Sequence, residues 1–216
     1  MSTGLSTARS PLNIGTTLNF ADDGPTLNVA KGDETLVLLT TQDAETIGVL
    51  NDTDVSTANF GGVFSIASSA FGADGAGTTP VLVYTLSLAD GVLAGSDSGL
   101  DSNGASIYLY NVGGVIVGAT SVPATAADAS VVFSLAVDSS GVVTLTQRQE
   151  IDHALESTTT APFDDQFAIL GTGLVTLTAS ATITDGDGDT ATDSETIDLG
   201  GNIRFADDGP TLNVAK

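Results

Sequence analysis

LVTLTASATITDGDGDTATDSETIDLGG, residues 174–201, is the stretch on which the reading of this chain turns. Val175, Leu177, Ala179, Ala181 and Ile183 share one parity, while Thr176, Thr178, Ser180, Thr182 and Thr184 share the other. Successive side chains of a strand point to opposite faces. A period of two, rich in β-branched residues, therefore predicts a half-buried antiparallel strand. Asp185-Gly186-Asp187-Gly188-Asp189 then turns the chain, and a second strand leaves through Thr190 to Leu199. Glycine lets the backbone fold tightly at such a point, so the carboxylates of Asp185, Asp187 and Asp189 converge. Hard cations such as Ca²⁺ take roughly six to eight oxygen ligands, which converging carboxylates and loop carbonyls supply. The helix–loop–helix calcium template is not met, because Thr190 and Thr196 stand where it requires glycine and glutamate. The alternative is an ordinary turn, for which Asp and Gly are common residues.

Outward from this hairpin the pattern repeats. Ile107–Tyr110 and Val115–Val117 flank Gly113-Gly114, and Val131–Val137 and Val142–Thr146 flank DSSG, giving two more predicted hairpins. Leu36–Thr40, Val81–Leu88 and Phe60–Ile66 read as further strands. Leu86–Leu93 and Phe163–Leu170 hold at most a helical turn or two, since neither sustains a period of 3.6. Many strands, frequent turn signals and few helices predict an all-β fold, an antiparallel β-sandwich of the immunoglobulin-like, Greek-key kind. The length exceeds a minimal domain of that kind, so extra hairpins or long loops are expected at residues 67–79, 94–106 and 150–166.

One sequence occurs twice. FADDGPTLNVAK fills Phe20–Lys31 and again Phe205–Lys216, a constant offset of 185 residues (205 − 20). Leu12, Gly15 and Leu18 face Ile197, Gly200 and Ile203 in the same register. That offset is far longer than a solenoid repeat, so each unit is expected to be a domain in a tandem array. Residues 1–25 then read as the end of a preceding repeat and a linker, 26–204 as the sandwich, and 205–216 as a linker and the start of the next repeat. In each FADDGP, proline fixes φ and restricts the residue before it, making a short, stiff junction. Asp22 with Asp23, and Asp207 with Asp208, are candidate ligands for a cation between neighbouring domains, or a solvated turn. GVLNDTD, residues 48–54, adds Asn51, Asp52 and Asp54 as candidate ligands, or as turn caps.

Charge narrows the partners. The 216 residues carry 27 acidic and 5 basic side chains, a formal charge of −22. Such a field repels phosphate backbones and anionic lipid, so nucleic acid and membrane are excluded as partners and cations favoured. It also destabilises the compact state unless neutralised. Cysteine is absent, which points to a reducing compartment or to another stabilising device such as bound metal. No apolar run is long enough to span a bilayer.

An ordered series of segments resembles the repeated domains of giant RTX adhesins exported by bacterial type I secretion. It comprises YTLSLADG (residues 84–91), SDSGLDSNGASIYLY (96–110), VVTLTQRQEIDHALES (142–157), the 174–201 stretch and FADDGP. GVLNDTD also resembles cadherin-like surface repeats. The resemblance implies an extender module: a β-sandwich stiffened by Ca²⁺ and repeated to hold an adhesive tip away from the cell. The implied setting is the bacterial cell surface, with neighbouring copies as partners and an isolated unit that is monomeric. The glycine-rich nonapeptide of RTX β-rolls is missing, and DHALESTTTAPFDD lacks the regular acidic positions of the family.

Two other classes compete. Catalysis has one possible imidazole base, His153, and SDSG at residues 96–99 departs from the serine-protease GDSGG in sequence and order. The reading is therefore not an enzyme. A calcium-dependent, lectin-like adhesion module is the second alternative, although tryptophan is absent and aromatics make up 5% of the chain.

Overall fold

The alternating stretch forms the longest strand of a computed structural model that describes residues 15, 18, 21–46, 53–153 and 166–208. The described strands are β1 (Thr26–Lys31), β2 (Leu39–Gln42), β3 (Asp54–Asn59), β4 (Phe64–Ala70), β5 (Ala76–Thr78), β6 (Val83–Leu88), β7 (Ser96–Ser102) and β8 (Ala105–Val112). They continue with β9 (Val115–Ala119), β10 (Val131–Val137), β11 (Val142–Gln147), β12 (Phe167–Ile169), β13 (Val175–Asp185), β14 (Thr190–Asp198) and β15 (Ile203–Ala206). Helical structure among the described residues is confined to single 3₁₀ turns at Asp43–Thr46 and Gly61–Val63. No described helix is long and apolar enough to cross a membrane.

The strands build an all-β, sandwich-like arrangement. One layer is a six-stranded sheet in the order β3-β11-β10-β9-β8-β7. In the other, β13 pairs with β14 along one side and with β6 and then β5 along the other. Between these layers the inward residues of β13, Val175, Leu177 and Ala179, meet Ile107, Leu109, Ile116, Phe133, Leu135, Val143 and Leu145 in one buried cluster, and Ile183 further along the strand is also fully buried. Threonines line the outer face, where Thr178–Thr196 and Thr182–Thr192 join their hydroxyls across β13 and β14 at 2.8 Å. This is the antiparallel ladder that the period of two dictates.

Two smaller sheets complete the fold. β1 pairs with β4 and lies beside β14, where the Val29 N–H donates to Asp193 Oδ2 at 2.7 Å and Lys31 Nζ stands 3.2 Å from Glu195 Oε2. β15 runs between β12 and β2, and its pairing with β2 is parallel, an exception to the expected antiparallel pattern. Phe205 in β15 is fully buried, its ring 5.2 Å from that of Phe133. The phenylalanine of the second FADDGP is thus part of the core.

The expected hairpins at 107–117 and 131–146 are β8–β9 and β10–β11. Gly113 and Gly114 both take positive φ, 62° and 90°, which a two-residue turn of this kind demands. Other expectations shift. Leu36 sits in a turn and is 90% exposed, so the strand begins at Leu39. Of the extra hairpins or long loops expected, residues 94–106 form the hairpin, in which β7 adds an edge strand to β8. The possible helical turns resolve into β6 and β12, with residues 163–165 outside the described part. Short edge strands with weak alternation escape a periodicity reading, since pairing to a neighbour rather than local pattern holds them.

Phe205→Ala removes a fully buried ring from the centre of the sandwich. We expect a loss of about 3–5 kcal/mol of unfolding free energy, measured by urea denaturation.

Candidate metal centre

β13 ends by burying a carboxylate. Asp185 follows Ile183 in the inward parity and is 3% exposed, so the pleat that fills the core also drives this side chain inward. Its Oδ1 accepts the N–H groups of Gly188 and Asp189 at 3.1 and 2.8 Å, which shapes the turn into β14. Its Oδ2 is buried with no hydrogen-bond partner. A buried carboxylate oxygen without a donor is costly unless a cation meets it.

Other acidic side chains gather around it. Asp74, Asp185 and Asp187 place carboxylate oxygens within 4.8 Å of one another, and so do Asp22, Asp187 and Asp189. Asp187 is common to both groups. Asp22 comes from the first FADDGP, Asp74 from the turn between β4 and β5, and the rest from the β13–β14 turn. Glycines make this approach possible. A Cβ at Gly186 would lie 2.2 Å from the Asp74 carbonyl, and one at Gly72, whose φ is +80°, would lie 2.2 Å from the Asp23 carbonyl. The three acidic segments therefore abut backbone to backbone.

Crowding is visible in their proton affinities. The Asp187 carboxyl is held above its usual range, first by the proton it can share with Asp185 and further by the Asp185 and Asp189 charges. Asp189, although exposed, is raised in the same sense by hydrogen bonding to Asp22 and by the Asp22 charge. Like charges this close disfavour ionisation. A hard divalent cation would relieve both the repulsion and the orphaned Oδ2, so the residues present fit Ca²⁺ chemistry.

The remaining candidates are spread elsewhere. Asp23 is exposed, its own N–H turned to Asp22 Oδ1 at 3.0 Å. Asp54 opens β3 and accepts from the Gln42 N–H and Val55 N–H, both at 2.8 Å, serving backbone donors. Asn51 and Asp52 lie outside the described residues. Asp207 faces His153, Oδ1 to Nδ1 at 3.6 Å, and Asp43 Oδ2 is 3.4 Å from the same nitrogen. Asp208 is raised by burial and by the Asp43 and Asp207 charges. Asp152, next to His153 in sequence, instead caps the β7–β8 turn by accepting from the N–H groups of Asn103 and Gly104 at 2.9 and 2.7 Å.

A family match bears on the same region. The family described as Domain of unknown function (DUF5801) matches residues 27–200. The chain belongs to the DUF5801 family. No curated protein and no solved structure matches it. The DUF5801 match runs from β1 through β14, so it takes in Asp74 and the Asp185–Asp189 turn. The FADDGP aspartates fall outside it at both ends. Asp43 was missed from sequence and Asp74, in FGADG, gave only a weak ligand signal, because both reach their sites through contacts distant along the chain. Parity, however, could have marked Asp185 as inward.

Two outcomes are expected for this DUF5801 domain. Asp187→Asn relieves repulsion in chelator but removes a ligand, so the melting midpoint rises without Ca²⁺ and falls with it, relative to the unaltered chain. The second concerns His153. Burial lowers its pKa, but hydrogen bonds to Asp43 and to the Phe205 carbonyl, with the Asp43 and Asp207 charges, push it from 6.5 to about 9. A raised pKa means the folded state holds the proton more tightly. The stabilisation is fully present below pH 6.5 and is lost as pH rises through about 9. Urea midpoints of the chelated protein should fall across that window, and His153→Gln should flatten the fall.

Proposed function

We propose that this DUF5801 domain is a calcium-stabilised structural extender module of a large tandem-repeat bacterial cell-surface adhesin. Its role is to project a distal ligand-binding region away from the cell. The observation that carries the reading is the meeting of three acidic segments at Asp187, next to an Asp185 carboxylate that is buried with one oxygen partnerless. The recurrence of FADDGPTLNVAK at a fixed offset supports the tandem arrangement, as does the resemblance to repeats exported by type I secretion. Neighbouring copies are the partners, with residues 26–204 as the repeating sandwich and FADDGP as the joint.

The physics follows from charge. Secretion as an unfolded chain suits a sequence without cysteine, and low cytosolic calcium leaves the carboxylates to repel one another. Outside, Ca²⁺ held by Asp74, Asp185 and Asp187, or by Asp22, Asp187 and Asp189, couples binding to folding. Extracellular calcium modules bind at about 10⁻⁴–10⁻³ M, matched to their surroundings. With free Ca²⁺ at 100 times the dissociation constant, one site contributes about 2.7 kcal/mol. Because Asp22 belongs to the FADDGP segment, a cation there also fixes that segment to the body of the domain.

Thermal unfolding during a Ca²⁺ titration from chelated protein tests this. We expect a large rise in melting temperature, with Mg²⁺ much less effective because it dehydrates reluctantly and demands a tight octahedron. An unchanged melt would remove the metal mechanism. For the extender role, a two-copy chain should show a longer maximum dimension by X-ray scattering in Ca²⁺ than in chelator.

A further inference from the structure

A second acidic group differs in chemistry from the first because it contains an imidazole. His153 is the single histidine of the chain, with its side chain 8% exposed. Its Nε2 lies 2.9 Å from the Phe205 carbonyl oxygen. A carbonyl only accepts, so Nε2 carries the hydrogen and Nδ1 is the nitrogen left to act. Nδ1 faces Asp43 Oδ2 at 3.4 Å and Asp207 Oδ1 at 3.6 Å, with the three ligand atoms mutually within 4.8 Å. Ligands about 2.1 Å from a tetrahedral ion stand about 3.4 Å apart. The spacing is that of a coordination edge and longer than a good N–H···O bond.

The surroundings are prepared in the same sense. Asp43 is 3% exposed, and its Oδ1 accepts from Gln147 Nε2 and from the Ile151 N–H, which leaves Oδ2 directed at the histidine. Gln147 is fully buried, and its Oε1 has no partner. Gln147 Oε1 is therefore a buried acceptor short of a donating or positive group. Outer hydrogen bonds that fix a ligand's tautomer and orientation, such as Nε2–H to a backbone carbonyl, are characteristic of metal-binding histidines.

We propose that Asp43, His153 and Asp207 form a binding site for a divalent transition metal of the Zn²⁺ class, separate from the oxygen-only group around Asp185. Imidazole nitrogen suits Zn²⁺, Cu²⁺ and Ni²⁺, whereas Ca²⁺ selects oxygen. The metal takes Nδ1 and one oxygen from each carboxylate, and any proton on Nδ1 is released to solvent. It joins the 3₁₀ turn after β2, the segment after β11 and the residue just past β15. In the proposed array Asp207 belongs to the joint, so the metal pins that joint to the preceding domain. The site itself does not depend on that reading.

The test is a Zn²⁺ titration of the chelated and then Ca²⁺-saturated chain, followed by calorimetry and by ¹⁵N NMR of labelled histidine. The one histidine makes the spectrum unambiguous. We expect one equivalent of Zn²⁺ to bind, with Nδ1 shifting to a metal-bound position while Nε2 keeps its hydrogen. His153→Gln should weaken Zn²⁺ by more than about 100-fold, beyond the effect of losing an outer-shell contact. Asp187→Asn should leave Zn²⁺ binding intact. The proposal is overturned if Zn²⁺ leaves the histidine resonances unmoved in the unaltered chain. It is equally overturned if the imidazole stays doubly protonated with Zn²⁺ in excess. Because these readouts use the unaltered chain, poor folding of the variant does not obscure the result.

Discussion

The pleat of β13 is the constraint on which both the core and the acidic site depend. Its inward parity buries Val175, Leu177, Ala179, Ala181 and Ile183 and then, without a break, Asp185. Shifting the register by one residue would bring Asp185 out, but it would also expose every apolar side chain on that face. Hydrophobic burial along the strand therefore fixes a carboxylate where water does not reach one of its oxygens. Asp187 and Asp74 bring carboxylate oxygens close to this side chain, and the proposed calcium chemistry is built around the group.

Glycine and charge then act together at that end of the sheet. Gly72 and Gly186 bring neighbouring backbones into contact, and the carboxylates carried by those segments have no distance over which to relax. Raised proton affinity at Asp187 and Asp189 is the electrostatic signature of the crowding. Under the proposed calcium chemistry, a positive charge among these oxygens would offset the repulsion that the net charge of −22 brings to the compact state.

The two copies of FADDGP meet different surroundings. Asp22 of the first lies against the β13–β14 turn, while Asp207 of the second faces a histidine and a buried aspartate. Identical residues thus have different chemistry, oxygen alone in one place and oxygen with imidazole in the other. Within the proposed tandem array a single joint would present both environments, one on each adjoining domain. The joint would then be held from two sides by cations of different preference.

How much of this was written in the sequence can be argued residue by residue. The period of two at 174–184, the Gly113-Gly114 turn and the DSSG turn are local signals, and they yielded β13, β8–β9 and β10–β11 because side-chain alternation and positive φ are properties of short segments. The convergence of Asp185, Asp187 and Asp189 was legible for the same reason, since one turn carries all three. Asp74 and Asp22 joining them, Asp43 closing on His153, and Phe205 entering the core were not legible. Each of those contacts spans a long separation in the chain, and its existence depends on how sheets stack and which strands become neighbours. Local periodicity determined the long alternating strands and which face each one buries; only the tertiary packing decided the short edge strands and which carboxylates share a site.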